Sequence, residues 1–352
     1  VHSSTGWAAG FAPFALLGPG LGISSVTPKM DVAKPRTLTA AALADAVIAG
    51  KSTMVFASPA AYRNVSATAS DLTPEQRASF ADIELVLSAG APVPLQLLDE
   101  LAELFPNAVI RTPYGMTEGL MLTDIDRDGI AAAEAQSRDH GVCVGAPISR
   151  VRVALAPLDA VGTPTDELLT GDAATDILGE FVISAPHSKA SYDALWGTDS
   201  ASKRDTLDGL LWHRTNDIGH FDPEGRMWLE GRVQHVISTP DGPVGPGGLE
   251  AVVDKVPSVH RSAVVGVGPE GVQAVVVVIE PEAGSGLKAG LAPLEVADAV
   301  RAAVAEYFPQ DVAAVLVTTT FPTDIRHNSK IDRTRLARWA DSVLCGERVG
   351  TP

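Results

Sequence analysis

Tyr114-Gly115-Met116-Thr117-Glu118 sets an aromatic ring, a glycine, a hydroxyl and a carboxylate side by side. Tyr114 offers a π-face on which a heterocyclic base can stack, an interaction of about 1–3 kcal/mol. Gly115 lets a ligand come close to the backbone. Thr117 can hydrogen-bond a phosphate, and Glu118 supplies the hard oxygen that Mg2+ favours. The chemistry on offer is that of a base, a phosphate and a divalent cation held together. In isolation the run also reads as a surface turn after the strand Val109-Ile110-Arg111-Thr112, so its meaning depends on what else the chain carries.

Four further segments bear on it. Ser88-Ala89-Gly90-Ala91-Pro92 lies between an apolar run and a helical one, and its small residues could let a flat ring rest on backbone. Strand-turn-helix junctions commonly contain Gly and Pro, so alone this is a weak signal. In Trp212-His213-Arg214-Thr215-Asn216-Asp217, Asp217 has the acceptor oxygens needed by paired ribose hydroxyls; its bland alternative is a loop Asp capping a turn. Arg232, after Gly231, could donate to the same ribose, or make a surface salt bridge. Lys330, within His327-Asn328-Ser329-Lys330-Ile331-Asp332-Arg333, is a cation on a flexible stem. Its attraction for an oxyanion at about 4 Å is roughly 1 kcal/mol in water and nearer 4 at the effective dielectric of a protein site.

In this order and at these intervals the segments resemble the nucleotide-handling motifs of the acid-adenylating superfamily, which includes acyl-CoA synthetases, luciferases and related AMP-forming ligases. The resemblance implies an α/β protein of the adenylate-forming enzyme fold: a large α/β plus β-barrel N-terminal domain, here partial, and a small α+β C-terminal domain. It implies ATP and Mg2+. Nucleotide binding would fall to Gly90, Ala91, Pro92, Tyr114, Gly115, Met116, Thr117, Asp217 and Arg232, catalysis to Lys330, Thr117 and Glu118, and the metal to Glu118.

Several stretches are similar to one branch, the olefin β-lactone synthetases. They are Phe14 to Ile23, Met30-Asp31 with Lys34-Pro35, Thr112-Pro113-Tyr114-Gly115, Trp212-His213-Arg214, and Asp324 to Ile331. That branch adenylates a long-chain β-hydroxy acid, whose β-hydroxyl then attacks the acyl carbon and expels AMP to leave a β-lactone. Other enzymes of a hydrocarbon-synthesis assembly are the implied partners. A long-chain fatty acyl-CoA or acyl-carrier-protein ligase is the neighbouring reading, and a non-catalytic scaffold remnant is the reading from another class. Ala15 stands where many relatives have His, Gln234 where the hinge is usually Asp or Lys, and Ser329 where Gly commonly precedes the lysine. The superfamily's phosphate loop, ending in Pro-Lys-Gly, and its first subdomain would lie ahead of the residues corresponding to Phe11. The chain, opening on Val1, is therefore expected to be truncated at its N-terminus, and the fragment alone to be poorly active.

The elements that must position these residues follow from periodicity. Helices are predicted over 37–47 and 94–105, the second with Leu97, Leu98, Leu101, Leu104 and Phe105 at helical spacing. Ser52 to Ala57 and Ile83 to Ser88 read as buried strands, so an α/β layer with a substantially parallel sheet is expected. From about 142 to 230 short strands separated by Gly, Pro and Asp suggest a barrel or antiparallel subdomain. Beyond it, strands at Ala263 to Val267, Val272 to Ile279 and Ala314 to Val317 alternate with a helix from Pro293 to Phe308 and another after Asp332. The helix carries Val296, Val300, Val304 and Tyr307 as a core stripe. Two domains are expected, 1–230 as the C-terminal part of the large adenylating domain and 231–352 as a small mobile domain. Residues 197–209 are polar and read as exposed.

Gly266-Val267-Gly268-Pro269-Glu270-Gly271 has dinucleotide-binding spacing, but an apolar strand follows it where a phosphate-binding helix is required, so a hairpin is expected. Ser3-Ser4-Thr5-Gly6 lacks the Gly and Lys that would complete a phosphate loop. With 43 acidic against 27 basic side chains the net charge is -16, which disfavours nucleic acid and anionic lipid as partners. Cys143 and Cys345 lack metal-ligand spacing and read as structural thiols of a reducing compartment. No run approaches the roughly 18–20 apolar residues that span a bilayer, and a cytoplasmic protein is expected.

Overall fold

The computed structural model describes residues 6–10, 12–136, 141–205, 209–322, 331–347 and 350–352. The chain divides into two compact units, residues 1–115 with 121–135 and residues 116–120 with 136–352.

In the first unit strands and helices alternate: β1 (Gly6–Ala9), α1 (Ala12–Gly20), β2 (Ser24–Val26), α2 (Ala40–Gly50), β3 (Ser52–Ala57), α3 (Pro59–Ala67), α4 (Pro74–Ser79), β4 (Leu85–Ser88), α5 (Leu95–Leu104) and β5 (Val109–Arg111). The five strands pair in parallel in the order β2-β1-β3-β4-β5. Parallel strands need crossovers long enough to hold a helix, which this alternation supplies. Helix α5 buries Leu97, Leu98, Leu101 and Leu104, the stripe read from the sequence. Helix α2 begins three residues later than expected. Thr37 sits in a short 3-10 turn, and it is Thr39 whose side chain accepts from the Ala42 N–H and caps the helix.

Tyr114–Met116 (β6) and Gly119–Thr123 (β7) form a two-stranded sheet, with Thr117 and Glu118 in the turn between them, and α6 (Arg127–Gln136) follows. The second unit then builds an antiparallel sheet from β8 (Val142–Gly145), β9 (Arg152–Pro157), β10 (Gly179–Ser184), β11 (Lys203–Asp205), β12 (Leu211–Phe221) and β13 (Met227–Arg232). A short helix, α7 (Trp196–Ala201), precedes β11. The order is β8-β13-β12-β10-β9, with β11 also paired to β12, so the expected antiparallel subdomain is present. Part of the 197–209 stretch read as exposed therefore enters the sheet.

Residues beyond β13 form a small hairpin, β14 (Ile237–Thr239) and β15 (Gly242–Val244), then α8 (Pro246–Val253), β16 (Val259–Val267), β17 (Ala274–Pro281), β18 (Gly290–Leu291), α9 (Leu294–Ala305), β19 (Val312–Val317) and α10 (Arg333–Leu344). The sheet order is β16-β17-β19-β18. Strand β17 is an unbroken valine run because both of its faces are covered. Val275, Val277 and Ile279 enter one core with Leu249, Val300 and Val304, while Val276 and Val278 enter another with Leu336 and Trp339. Val267 pairs antiparallel with Ala274, so the Gly266 to Gly271 segment closes a hairpin as expected. Tyr307 lies past the end of α9 and is exposed, which shortens the predicted core stripe.

Candidate functional site

Gly90 and Tyr114 follow the carboxyl ends of β4 and β5, which are adjacent parallel strands with Leu87 opposite Arg111. In open parallel sheets ligands bind outside those ends. Gly90 has φ +97, where an L side chain is strained, and a Cβ there would meet nothing within 4 Å. Glycine is thus required by the backbone conformation of the turn and not by crowding. Ala91 and Tyr114 are half-buried, Pro92 is exposed, and Gly115 and Met116 are half-buried.

In the second unit Asp217 and Arg232 stand directly opposite each other across the β12–β13 ladder. The Arg232 Nε is 3.1 Å from Asp217 Oδ1, and the side chains are 43% and 11% exposed respectively. The neighbouring backbone explains how Asp217 is aimed. The register between β10 and β12 slips between Glu180 and Val182, and Asn216 takes φ +59. Such a bulge redirects a side chain, and Asn tolerates the left-handed region better than most residues. Fully buried Glu180 accepts the Asn216 N–H at 3.0 Å and pairs with Arg214 at 2.8 Å. Thr215 Oγ1 accepts the Asp217 N–H at 3.0 Å and donates to the Phe181 carbonyl at 2.7 Å.

Glu118 is held differently. Tyr192 Oη donates to Glu118 Oε1 at 2.6 Å, and the Lys189 N–H donates to the Glu118 carbonyl at 2.7 Å. No hydrogen bond to Glu118 Oε2 is seen among the described residues. Lys189 Nζ sits 4.0 Å above the Tyr192 ring and bonds Asp199 and Ser202. Asp199 also accepts from Lys203 and from the Tyr192 N–H, which holds its carboxyl down to about 2. Burial, then the bond to Glu118, pushes the Tyr192 phenol up to about 12, so it stays a donor at neutral pH. His213, buried nearby in β12, is kept below the usual histidine range by burial and by the Lys189 charge.

Sequence reasoning missed Tyr192, Lys189 and Asp199. Local spacing held no signal for them, because their partner lies on a turn far back in the chain. Thr117 is exposed on the same turn as Glu118. Lys330, with Arg326, His327, Asn328 and Ser329, lies outside the described residues. Gln234 is exposed and, with Thr163, Arg214 and Gln273, lines a cavity of about 450 Å³ that none of the candidate site residues lines. Among the described residues no group of three or more His, Cys, Asp or Glu could hold a metal, and no helix is long and apolar enough to cross a membrane. Cys143 is buried and Cys345 exposed, and neither is in a disulfide.

A stretch spanning residues 6–187, more than half of the chain, matches the model of the AMP-binding enzyme family. The chain belongs to that family. Its similarity to curated members runs well beyond the matched region. It is 35% identical to the olefin beta-lactone synthetase of Xanthomonas campestris pv. campestris over 340 residues, covering 94% of this chain and 58% of that protein. The olefin beta-lactone synthetase of Stenotrophomonas maltophilia is 34% identical over 345 residues, with 95% and 59% covered. The chain thus spans less than two thirds of the length of these relatives. Among solved structures, ATP-bound MatB from Rhodopseudomonas palustris superposes with a TM-score of 0.70 at 18% identity, covering 97% of this chain and 61% of MatB. That likeness establishes the adenylate-forming fold.

Proposed function

We propose that this chain carries the machinery of an AMP-forming acid ligase that adenylates a long-chain β-hydroxy acid and closes it to a β-lactone. The observation that carries this reading is the 35% identity to an olefin beta-lactone synthetase along 94% of the chain, through both compact units. Tyr114 and the Gly90-Ala91-Pro92 turn are assigned to adenine, Asp217 and Arg232 to the ribose hydroxyls, and Thr117 to a phosphate. Gly115 and Met116 complete the nucleotide-facing run.

The donor set around Glu118 fits Mg2+, which is usually held by one or two carboxylates plus substrate phosphates and not by an all-protein cage. One partly exposed carboxylate, with one oxygen anchored and the other taking no described hydrogen bond, meets that requirement. When bound, the cation would offset the charge of the nucleotide phosphates.

In the first step a carboxylate oxygen of the acid attacks the α-phosphorus, the new P–O bond forms and diphosphate leaves. In the second the β-hydroxyl oxygen attacks the acyl carbon, gives up its proton, and the bond to AMP breaks. Lys330 is assigned to the negative charge that develops in the first step. Residues 231–352 are assigned to the small mobile domain, with 1–230 belonging to the large one.

Incubation with ATP, Mg2+ and a long-chain 3-hydroxy acid, followed by mass spectrometry, tests the proposal. AMP, diphosphate and a β-lactone are expected without coenzyme A. A product that forms only with coenzyme A, as a thioester, would assign an acyl-CoA ligase instead. Absence of saturable ATP or AMP binding would assign a scaffold.

A further inference from the structure

The contact that sequence reasoning did not foresee is between the Glu118 turn and the loop that follows β10. The loop grips Glu118 twice, through the Lys189 N–H on its carbonyl and the Tyr192 hydroxyl on its carboxylate. At 2.6 Å the second bond falls in the short range of charge-assisted O–H···O⁻ bonds. The loop is itself braced. Asp199 receives the Tyr192 N–H at 2.8 Å and Lys189 Nζ at 3.2 Å, while Lys203 pairs with its other oxygen. Lys189 further caps the Tyr192 ring face and donates to Ser202 Oγ at 3.0 Å. A phenol with this much support is built to stay where it is.

A glutamate on a two-residue turn has no neighbour along the strand to fix its rotamer. A carboxylate that ligates a metal is ordinarily oriented by a hydrogen bond to the oxygen that the metal does not take, and losing such a partner typically costs 10–100-fold in metal affinity or activity. We propose that Tyr192 is the positioning residue of Glu118. It pins Oε1 and leaves Oε2 to the divalent cation, and Lys189 and Asp199 hold Tyr192 in that role. The proposal rests on the assignment of Glu118 as the cation ligand. It makes the post-β10 loop, and not the Tyr114 to Glu118 run alone, part of the cation site.

Tyr192→Phe keeps the ring, its packing and the Lys189 contact and removes only the hydroxyl. Mn2+ binding in the presence of ATP, followed by electron paramagnetic resonance, gives a readout that does not depend on turnover. The expected result is a 10- to 100-fold weaker Mn2+ affinity for Tyr192→Phe, a matching rise in the Mg2+ concentration that half-saturates AMP formation, and no further loss when the change is added to Glu118→Gln. Unchanged Mn2+ affinity in Tyr192→Phe, with Glu118→Gln weakened, would overturn the positioning role and leave the Glu118 assignment standing. Tighter binding would also overturn it, by showing that the phenol competes with the cation. If Glu118→Gln itself leaves Mn2+ affinity unchanged, both the assignment and the proposal fall.

Discussion

The two carboxylates of the candidate site are held in opposite ways. Asp217 lies within a long antiparallel ladder, directly opposite Arg232, and its aim is set by a bulge whose backbone is locked by buried Glu180 and by Thr215. Glu118 lies on a two-residue turn and is aimed by the side chain and backbone of a loop far along the chain. The first is a product of strand register, which is strongly specified wherever a sheet face is buried. The second depends on one hydroxyl and the charge network behind it. The proposed role of Asp217 as ribose acceptor suits the rigid frame, since the sugar brings no strong field of its own. The proposed role of Glu118 as cation ligand makes that one hydroxyl the part of its hold most open to test.

Substitutions can break or sharpen this contrast. The largest effect is expected from neither region: Lys330→Ala should lower adenylate formation by about 10²–10³-fold, the usual scale for losing a preorganised charge stabiliser. ATP affinity should persist, and closure of preformed acyl adenylate should suffer less, because its nucleophile is tethered to the acyl chain. Single-turnover assays of the two steps measure this, and equal losses in both would remove Lys330 from the assigned role.

Asp217→Ala should come next. A hydrogen bond to a charged group contributes about 1.5–3 kcal/mol, so ATP should bind roughly 10- to 100-fold more weakly. The loss should be insensitive to Mg2+ concentration and should leave acid selectivity alone. Calorimetry showing unaltered nucleotide affinity would detach the ladder from the ribose. Glu118→Gln should differ in kind: AMP formation should fall and recover in part as Mg2+ is raised. Rescue of Asp217→Ala but not of Glu118→Gln by the metal would reverse the contrast drawn between the two carboxylates.

The smallest effect concerns acid. His235 follows β13, and burial, then the Arg333 and Arg232 charges, take it from 6.5 down to about 4. A histidine lowered in this way is folded as the neutral ring. Its favourable contribution is complete above pH 6.5 and is lost as the pH falls toward 4, because the unfolded chain takes up a proton that the fold resists. Urea midpoints between pH 7.5 and 4.5 should therefore decline less in His235→Gln than in the unaltered chain. Identical declines would mean that acid acts elsewhere in the molecule.

Much of the fold was legible in the sequence because its signals are periodic and local. The leucine stripe of α5, the apolar runs of β3 and β4, and the valines of β17 each state their own geometry, and the structure bears them out. Boundaries were less legible. Thr39 starts α2 by capping the Ala42 N–H, while Thr37 Oγ1 accepts the Asp31 N–H in the preceding turn, and the sequence 197–209 looked merely polar although Lys203–Asp205 pairs with β12. Tyr114, Glu118, Asp217 and Arg232 could be named as candidates from their chemical types together with the resemblance of their segments to the adenylating motifs. Their surroundings could not.

What the sequence determined by itself was the kind of chemistry available and the α/β layering, since residue type and spacing along a helix or strand are properties of the chain alone. What only the tertiary structure decided was how each carboxylate is held. The Asp217–Arg232 pair required a register between strands, and the Glu118–Tyr192 bond required the loop after β10 to return to a turn formed much earlier. Hydrogen bonds between residues distant in sequence depend on how the intervening chain packs, and no local pattern records that.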